Sequence, residues 1–113
     1  MPFQLFHNAR CSKSRETLAL LQAQGIEPEI VDYLDQPLSI QLLRDLQSAL
    51  GCKVIDMMRT KETVFAELEL ADADDDALIR AIVEHPILLE RPIVVRAGRA
   101  VIGRPPENAL ELL

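Results

Sequence analysis

The first third of the chain constrains the fold most, because it reads as strand, helix, strand with no room for anything else. Phe3, Leu5 and Phe6 give a short apolar stretch, Phe3–His7, suited to a strand. Leu18 and Leu21, with the small Ala19 and Ala23, then recur at helical spacing until Gly25, a helix stop. Pro28–Leu34 is rich in β-formers, with Ile30, Val31 and Tyr33. Strand, helix and strand within about thirty-five residues is the length of one right-handed crossover with parallel strands.

The middle reads as helical. Ser39 can cap a helix carrying Leu42, Leu43, Leu46 and Leu50 and ended by Gly51, and a shorter piece follows at Val54–Arg59. Asp72, Asp74, Asp75 and Asp76 precede Leu78, Ile79, Ile82 and Val83, which places carboxylates at the positive end of a helix rather than around a metal. Pro86 stops that helix. Ile93–Val95 and Ala100–Ile102 flank Arg96-Ala97-Gly98-Arg99 and read as an antiparallel hairpin. Pro105 and Pro106 then open a final helix, Glu107–Leu113. The expectation is one α/β domain over 1–113, ordered βαβ…ββα, with an all-helical insert over approximately 38–85.

Twelve Lys plus Arg against eighteen Asp plus Glu give 113 residues a net charge of -6. That field repels phosphate backbones, so no nucleic-acid partner is expected. Apolar runs of four or five residues span no bilayer, and the first residues resemble no signal peptide, so the expected location is the cytoplasm, without a membrane partner. Two cysteines, Cys11 and Cys52, make neither a disulfide scaffold nor a metal motif. The expected protein is a monomer, with no metal and no tightly bound cofactor.

Cys11 stands where the first strand meets the first helix, among His7, Arg10, Lys13 and Arg15. Unpaired N–H groups at a helix start favour negative charge, and a thiolate is the species that gains. A thiol with a pKa of about 8.5 is only ~3% ionised at pH 7; lowering it to about 6.5 makes this ~75% and requires roughly 2.7 kcal/mol. A helix terminus supplies ~0.3–1 kcal/mol, and ~2 at best, so cations or strong hydrogen bonds must contribute the remainder. The competing assignment is a buried structural cysteine. Cys52, after Gly51, has no comparable setting and reads as structural or incidental. Ser14 stands where a Cys-x-x-Cys motif would carry its second cysteine; an external thiol would have to resolve a mixed disulfide. The hydroxyl could equally be a hydrogen-bonding group of the first helical turn.

Nine arginines outnumber three lysines. Most are expected on the solvated surface, but Arg59, Arg91 and Arg104 lie at element ends where guanidinium forks could hold an oxyanion. His7 could polarise or hydrogen-bond the Cys11 region or simply have a local partner, and His85, before Pro86, reads as structural.

His7-Asn8-x-x-Cys11-x-x-Ser14-Arg15, then Tyr33-Leu34, His85-Pro86-Ile87-Leu88, Arg91-Pro92-Ile93-Val94-Val95 and Gly103-Arg104-Pro105, resembles the ArsC family of glutathione/glutaredoxin-coupled arsenate reductases. The Cys11–Arg15 form looks most like its chromosomally encoded YfgD-type branch. Ala9 and Ser12 stand where many members carry proline and glycine. The resemblance implies a thioredoxin-like fold, Cys11 as nucleophile, and Arg59, Arg91 and Arg104 as oxyanion ligands. It also implies that His7 helps depress the Cys11 pKa and that Arg91-Pro92 is a cis bond beside the cysteine. Asn8, Ser14, Arg15 and Pro92 are then supporting residues, arsenate the substrate, glutathione the co-substrate and glutaredoxin the partner. Two other functions fit parts of the pattern: a glutathione-dependent thiol/disulfide oxidoreductase of the same fold, and a non-enzymatic Spx-like transcription regulator. The latter kind typically carries a second cysteine where Ser14 stands.

Overall fold

The strand–helix–strand reading corresponds, in a computed structural model describing residues 2–113, to β1 (Phe3–Phe6), α1 (Ser12–Ala23) and β2 (Glu29–Val31). β1 and β2 run parallel, with Gln4, Leu5 and Phe6 opposite Glu29, Ile30 and Val31. Parallel neighbours need a crossover, and α1 supplies it. β2 is shorter than the expected Pro28–Leu34 because its pairing with β1 ends at Val31. Beyond it the Asp32 carbonyl accepts the N–H groups of Asp35 and Gln36 in a turn.

The hairpin is present as β3 (Ile93–Arg96) and β4 (Arg99–Ile102). Its two-residue turn has Ala97 and Gly98 at φ 52° and 77°, the backbone twist that suits a tight hairpin. The sheet order is β2-β1-β3-β4, with β3 antiparallel to both of its neighbours. Phe3 and Leu5 point to the same face of β1, and with Leu21, Val94, Ala109 and Leu112 they form a buried core. Each such side chain contributes roughly 1.5–3 kcal/mol when fully removed from water. The last element, Pro106–Leu112, is a 3-10 helix rather than an α-helix. Pro105 and Pro106 bring no N–H, and the Asn108 N–H returns three residues to the Pro105 carbonyl. The Asn108 side chain also donates to the carbonyls of Ile102 and Arg104.

The segment ending at Gln36 and Arg91–Leu113 form one compact unit, and Pro37–Glu90 forms another. The second unit carries α2 (Ile40–Leu50), α3 (Thr63–Glu67) and α4 (Asp75–Glu84). Ser39 caps α2 by accepting the Leu42 N–H, and Gly51, at φ 66°, ends it. Asp74 caps α4 by accepting the Ala77 N–H, with Asp75 and Asp76 in the first turn, so the acidic run serves the helix. The expected Val54–Arg59 helix is a 3-10 turn, Val54–Met57, because Met58 turns extended and bridges to Leu89. The Glu90 N–H donates to the Met57 carbonyl at 2.9 Å, which ties this unit together beyond the expected end near residue 85. α3, five residues long, is too short for its apolar spacing to have been readable. Among the described residues no helix is long and apolar enough to cross a membrane, and no group of His, Cys, Asp and Glu could hold a metal ion.

Candidate active site

The strand register determines which loops meet. Phe6, the last residue of β1, is opposite Ile93, the first of β3, and Ile93 is opposite Ile102, the last of β4. The chain leaving β1, entering β3 and leaving β4 is therefore gathered at one end of the sheet. Those three segments carry Cys11, Arg91 and Arg104. This is how two residues 93 positions apart come together, with Arg104 Nη2 donating to Cys11 Sγ at 3.4 Å.

The loop before α1 is held by short-range bonds. Asn8 accepts the Cys11 N–H at its carbonyl, 2.9 Å, and the Arg10 N–H at Oδ1, 3.0 Å. Arg15 Nη1 donates to the Ala9 carbonyl at 2.9 Å. Cys11 occupies the N-cap position of α1 in an extended conformation, and its carbonyl accepts the Arg15 N–H as the first helical bond. Its partly buried sulfur stands where a capping oxygen would, facing the next N–H groups of the helix.

Burial is the largest influence on this thiol and pushes its pKa up. The N–H groups of Ser14 and Lys13, and then the guanidinium groups of Arg91 and Arg104, together outweigh it, and the net result lies below the ordinary value. Helix donors and cations thus act jointly, as the free-energy requirement demands. Cys52 goes the other way: burial, then the charge of Asp56, holds its thiol protonated.

His7 acts one step removed from the sulfur. Its Nδ1 lies 2.7 Å from Ser14 Oγ, and that oxygen also accepts the Asn8 N–H at 3.0 Å. The fully buried Ser14 hydroxyl is thus shared between the Asn8 N–H and the His7 ring, and it donates to Nδ1 where that nitrogen carries no proton. Burial lowers the His7 pKa most, Asp32 opposes this and Arg15 reinforces it, and the net is a ring biased to neutrality. The groups acting directly on the thiol do not include His7; it holds Ser14, whose backbone N–H does.

Arg104 also donates from Nε to the Arg91 carbonyl at 2.7 Å, so it joins the β3 entry to the cysteine. The Arg91–Pro92 bond is cis, as is Arg104–Pro105. Gly103 is a residue whose role sequence reasoning missed. A Cβ there would lie 2.6 Å from Thr17 Oγ1 and 2.8 Å from Pro92 Cγ, so α1, the β3 entry and the β4 exit close on a position without a side chain. Its N–H donates to the Pro92 carbonyl at 2.9 Å. A glycine directly before Arg104-Pro105 was the available signal.

Arg59 belongs to the Pro37–Glu90 unit. There its Nε donates to Glu62 Oε1 at 2.9 Å, Nη1 lies 3.9 Å from Glu90 Oε1, and its N–H donates to the Leu88 carbonyl at 2.7 Å. His85 closes α4, with its N–H on the Ala81 carbonyl and its own carbonyl accepting from Leu88.

A sheet of this order, with a thiolate-favouring cysteine heading its first helix and a cis-proline entering β3, defines an α/β protein of thioredoxin-like fold. The ArsC family model matches residues 6–112, and the chain belongs to that family. It is 50% identical over 108 residues to an arsenate reductase of Neisseria meningitidis, covering 93% of this chain and 92% of that protein. Its identity to the uncharacterized protein YfgD of Escherichia coli (strain K12) is 52% over 113 residues, with 97% and 95% covered. The solved structure of an arsenate reductase from Vibrio cholerae matches with a TM-score of 0.97 at 52% identity, covering 100% of this chain and 98% of that one.

Proposed function

We propose that the chain reduces arsenate to arsenite, with Cys11 as nucleophile and glutathione and glutaredoxin as electron source. The observation that carries the reading is the Cys11 sulfur, at the head of α1 and 3.4 Å from Arg104 Nη2, with its pKa below the ordinary value. Relatives named arsenate reductase at about 50% identity supply the substrate.

Arsenate oxygens bind the guanidinium groups of Arg91 and Arg104, whose charge offsets the repulsion between thiolate and oxyanion. By the family resemblance Arg59 is a third ligand. The Cys11 sulfur forms a bond to arsenic, and one arsenic–oxygen bond breaks, its oxygen leaving as water after protonation. Arsenic is still pentavalent in this thioarsenate. Glutathione then attacks the adduct and displaces a second water. Glutaredoxin's thiolate attacks the glutathione sulfur, the sulfur–arsenic bonding pair stays on arsenic, and a mixed disulfide departs. Hydrolysis frees trivalent arsenite from Cys11. Two external thiols become one disulfide, which balances the two electrons gained by arsenic. Ser14 in place of a neighbouring cysteine makes those external thiols necessary. The reading assigns the enzyme to the cytoplasm, where glutathione is kept reduced and thiols such as Cys11 and Cys52 remain free.

The test is NADPH consumption coupled through glutathione reductase, glutathione and glutaredoxin, with arsenate as substrate. The wild type should turn over, and Cys11→Ser should fall to the uncatalysed background. Equal rates would end the proposal.

A further inference from the structure

We propose that a cavity beside the Cys11 loop is the subsite for the γ-glutamyl end of glutathione. The cavity, of about 300 Å³, is lined by Asn8, Ala9 and Arg10 on one side and by Asp32, Leu34 and Asp35 on the other. All six residues belong to the unit that contains Cys11. The space is at the lower end for a ligand pocket, so it takes a fragment rather than a whole tripeptide.

Its charges are arranged for a zwitterion. One basic and two acidic residues line it, and no salt bridge joins Arg10 to Asp32 or Asp35 among the described residues. Opposite charges that line one small cavity without meeting leave room for a group carrying both signs. An α-amino acid terminus is such a group: its carboxylate suits Arg10 and its ammonium suits the aspartates. Leu34, 44% exposed, offers an apolar wall for the methylenes between that terminus and the γ-amide. The cavity begins at the residue before Cys11, and one extended residue spans about 3.5 Å, so a dipeptide's reach brings the glutathione thiol to the loop. The larger cavity beside Lys13, Glu16 and Glu107 fits less well, because the Lys13 ammonium is already paired with Glu16 at 3.3 Å.

This assignment rests on reading Cys11 as the thiol of a glutathione-dependent reductase, and it is tested without arsenate. Binding of S-methylglutathione, which cannot react, is measured by titration calorimetry or by amide shifts. Arg10→Gln and the double variant Asp32→Asn/Asp35→Asn should each weaken it about three- to tenfold, the range for charge-assisted contacts in an open site. Glutaryl-cysteinylglycine, methylated at sulfur and lacking only the ammonium, should bind the wild type that much more weakly than S-methylglutathione. The aspartate double variant should bind the two ligands equally. Alkylation of Cys11 against pH, run in parallel, reports whether the thiolate itself has changed; Arg10 is not among the groups acting on that thiol. Equal binding by wild type and both variants, or undiminished discrimination in the aspartate variant, overturns the subsite. Such a result leaves arsenate turnover standing, whereas binding as described in a protein inactive on arsenate upholds the subsite and removes only the substrate.

Discussion

Replacing Arg104 with glutamine removes a full positive charge 3.4 Å from the Cys11 sulfur while keeping a side chain of similar reach. Two unit charges at that separation attract by about 5 kcal/mol at an effective dielectric of 20 and by about 1.2 kcal/mol in bulk water. Arg104 is exposed, so the solvent-screened value applies, and about 1.2 kcal/mol raises the thiol pKa by roughly 0.9. The thiolate population below the pKa then falls by roughly eightfold. Ultraviolet titration of the thiolate in a Cys52→Ser background isolates Cys11, and alkylation rate against pH provides a second readout. Arg104→Lys keeps the charge but cannot serve both the sulfur and the Arg91 carbonyl, so it should keep much of the low pKa while turnover still suffers. A Cys11 pKa in Arg104→Gln within about 0.2 of wild type would refute the electrostatic role of Arg104, leaving the helix N–H groups and Arg91 as the cause.

Three further outcomes follow from the geometry. Gly103→Ala forces a Cβ to 2.6 Å from Thr17 Oγ1 and should cost about 1–3 kcal/mol in urea denaturation, with kcat lowered because Arg104 is displaced; unchanged stability would mean the packing relaxes freely. His7 has its folded pKa below the unfolded value of about 6.5, so its contribution to stability is complete above that pH and is lost on acidification toward the folded value. Tm should therefore fall more steeply below about pH 6.5 in wild type than in His7→Gln, and parallel curves would contradict this. Arg59→Ala should reduce arsenate turnover by about a hundredfold or more while leaving glutathione-dependent disulfide exchange largely intact; equal losses in both would favour a general thiol oxidoreductase.

Much of this architecture was legible because its signals are local. Ser39 and Gly51 bracket α2 by capping chemistry that depends on neighbouring residues alone, and Ala97-Gly98 between two β-rich runs announces a hairpin. The length of β2 was not legible, since Ile30, Val31 and Tyr33 are all β-formers and only the partner strand decides where pairing stops. The final segment reads as an α-helix by composition, but two prolines and the Asn108 bonds select the tighter turn. Near Cys11, the strand-to-helix junction and its basic neighbours point to a thiolate. What they do not contain is the register Phe6–Ile93–Ile102, which carries Arg91 and Arg104 to the sulfur, nor the close approach of Thr17 and Pro92 to Gly103. Those are long-range facts, and a single sequence holds no record of them. The indirect part of His7, through Ser14, is of the same kind: the spacing suggests proximity, but burial decides the protonation state.

The most direct test of the account is the identity of the atom that bonds to arsenic. Protein incubated with arsenate and glutathione, quenched in acid and digested without reductant, should yield an arsenic-bearing mass increment on the peptide containing Cys11. The Cys52 peptide should be unmodified, and no such adduct should form with Cys11→Ser. An arsenic adduct formed to the wild-type extent by Cys11→Ser, or arsenic found on Cys52 instead, would contradict the account.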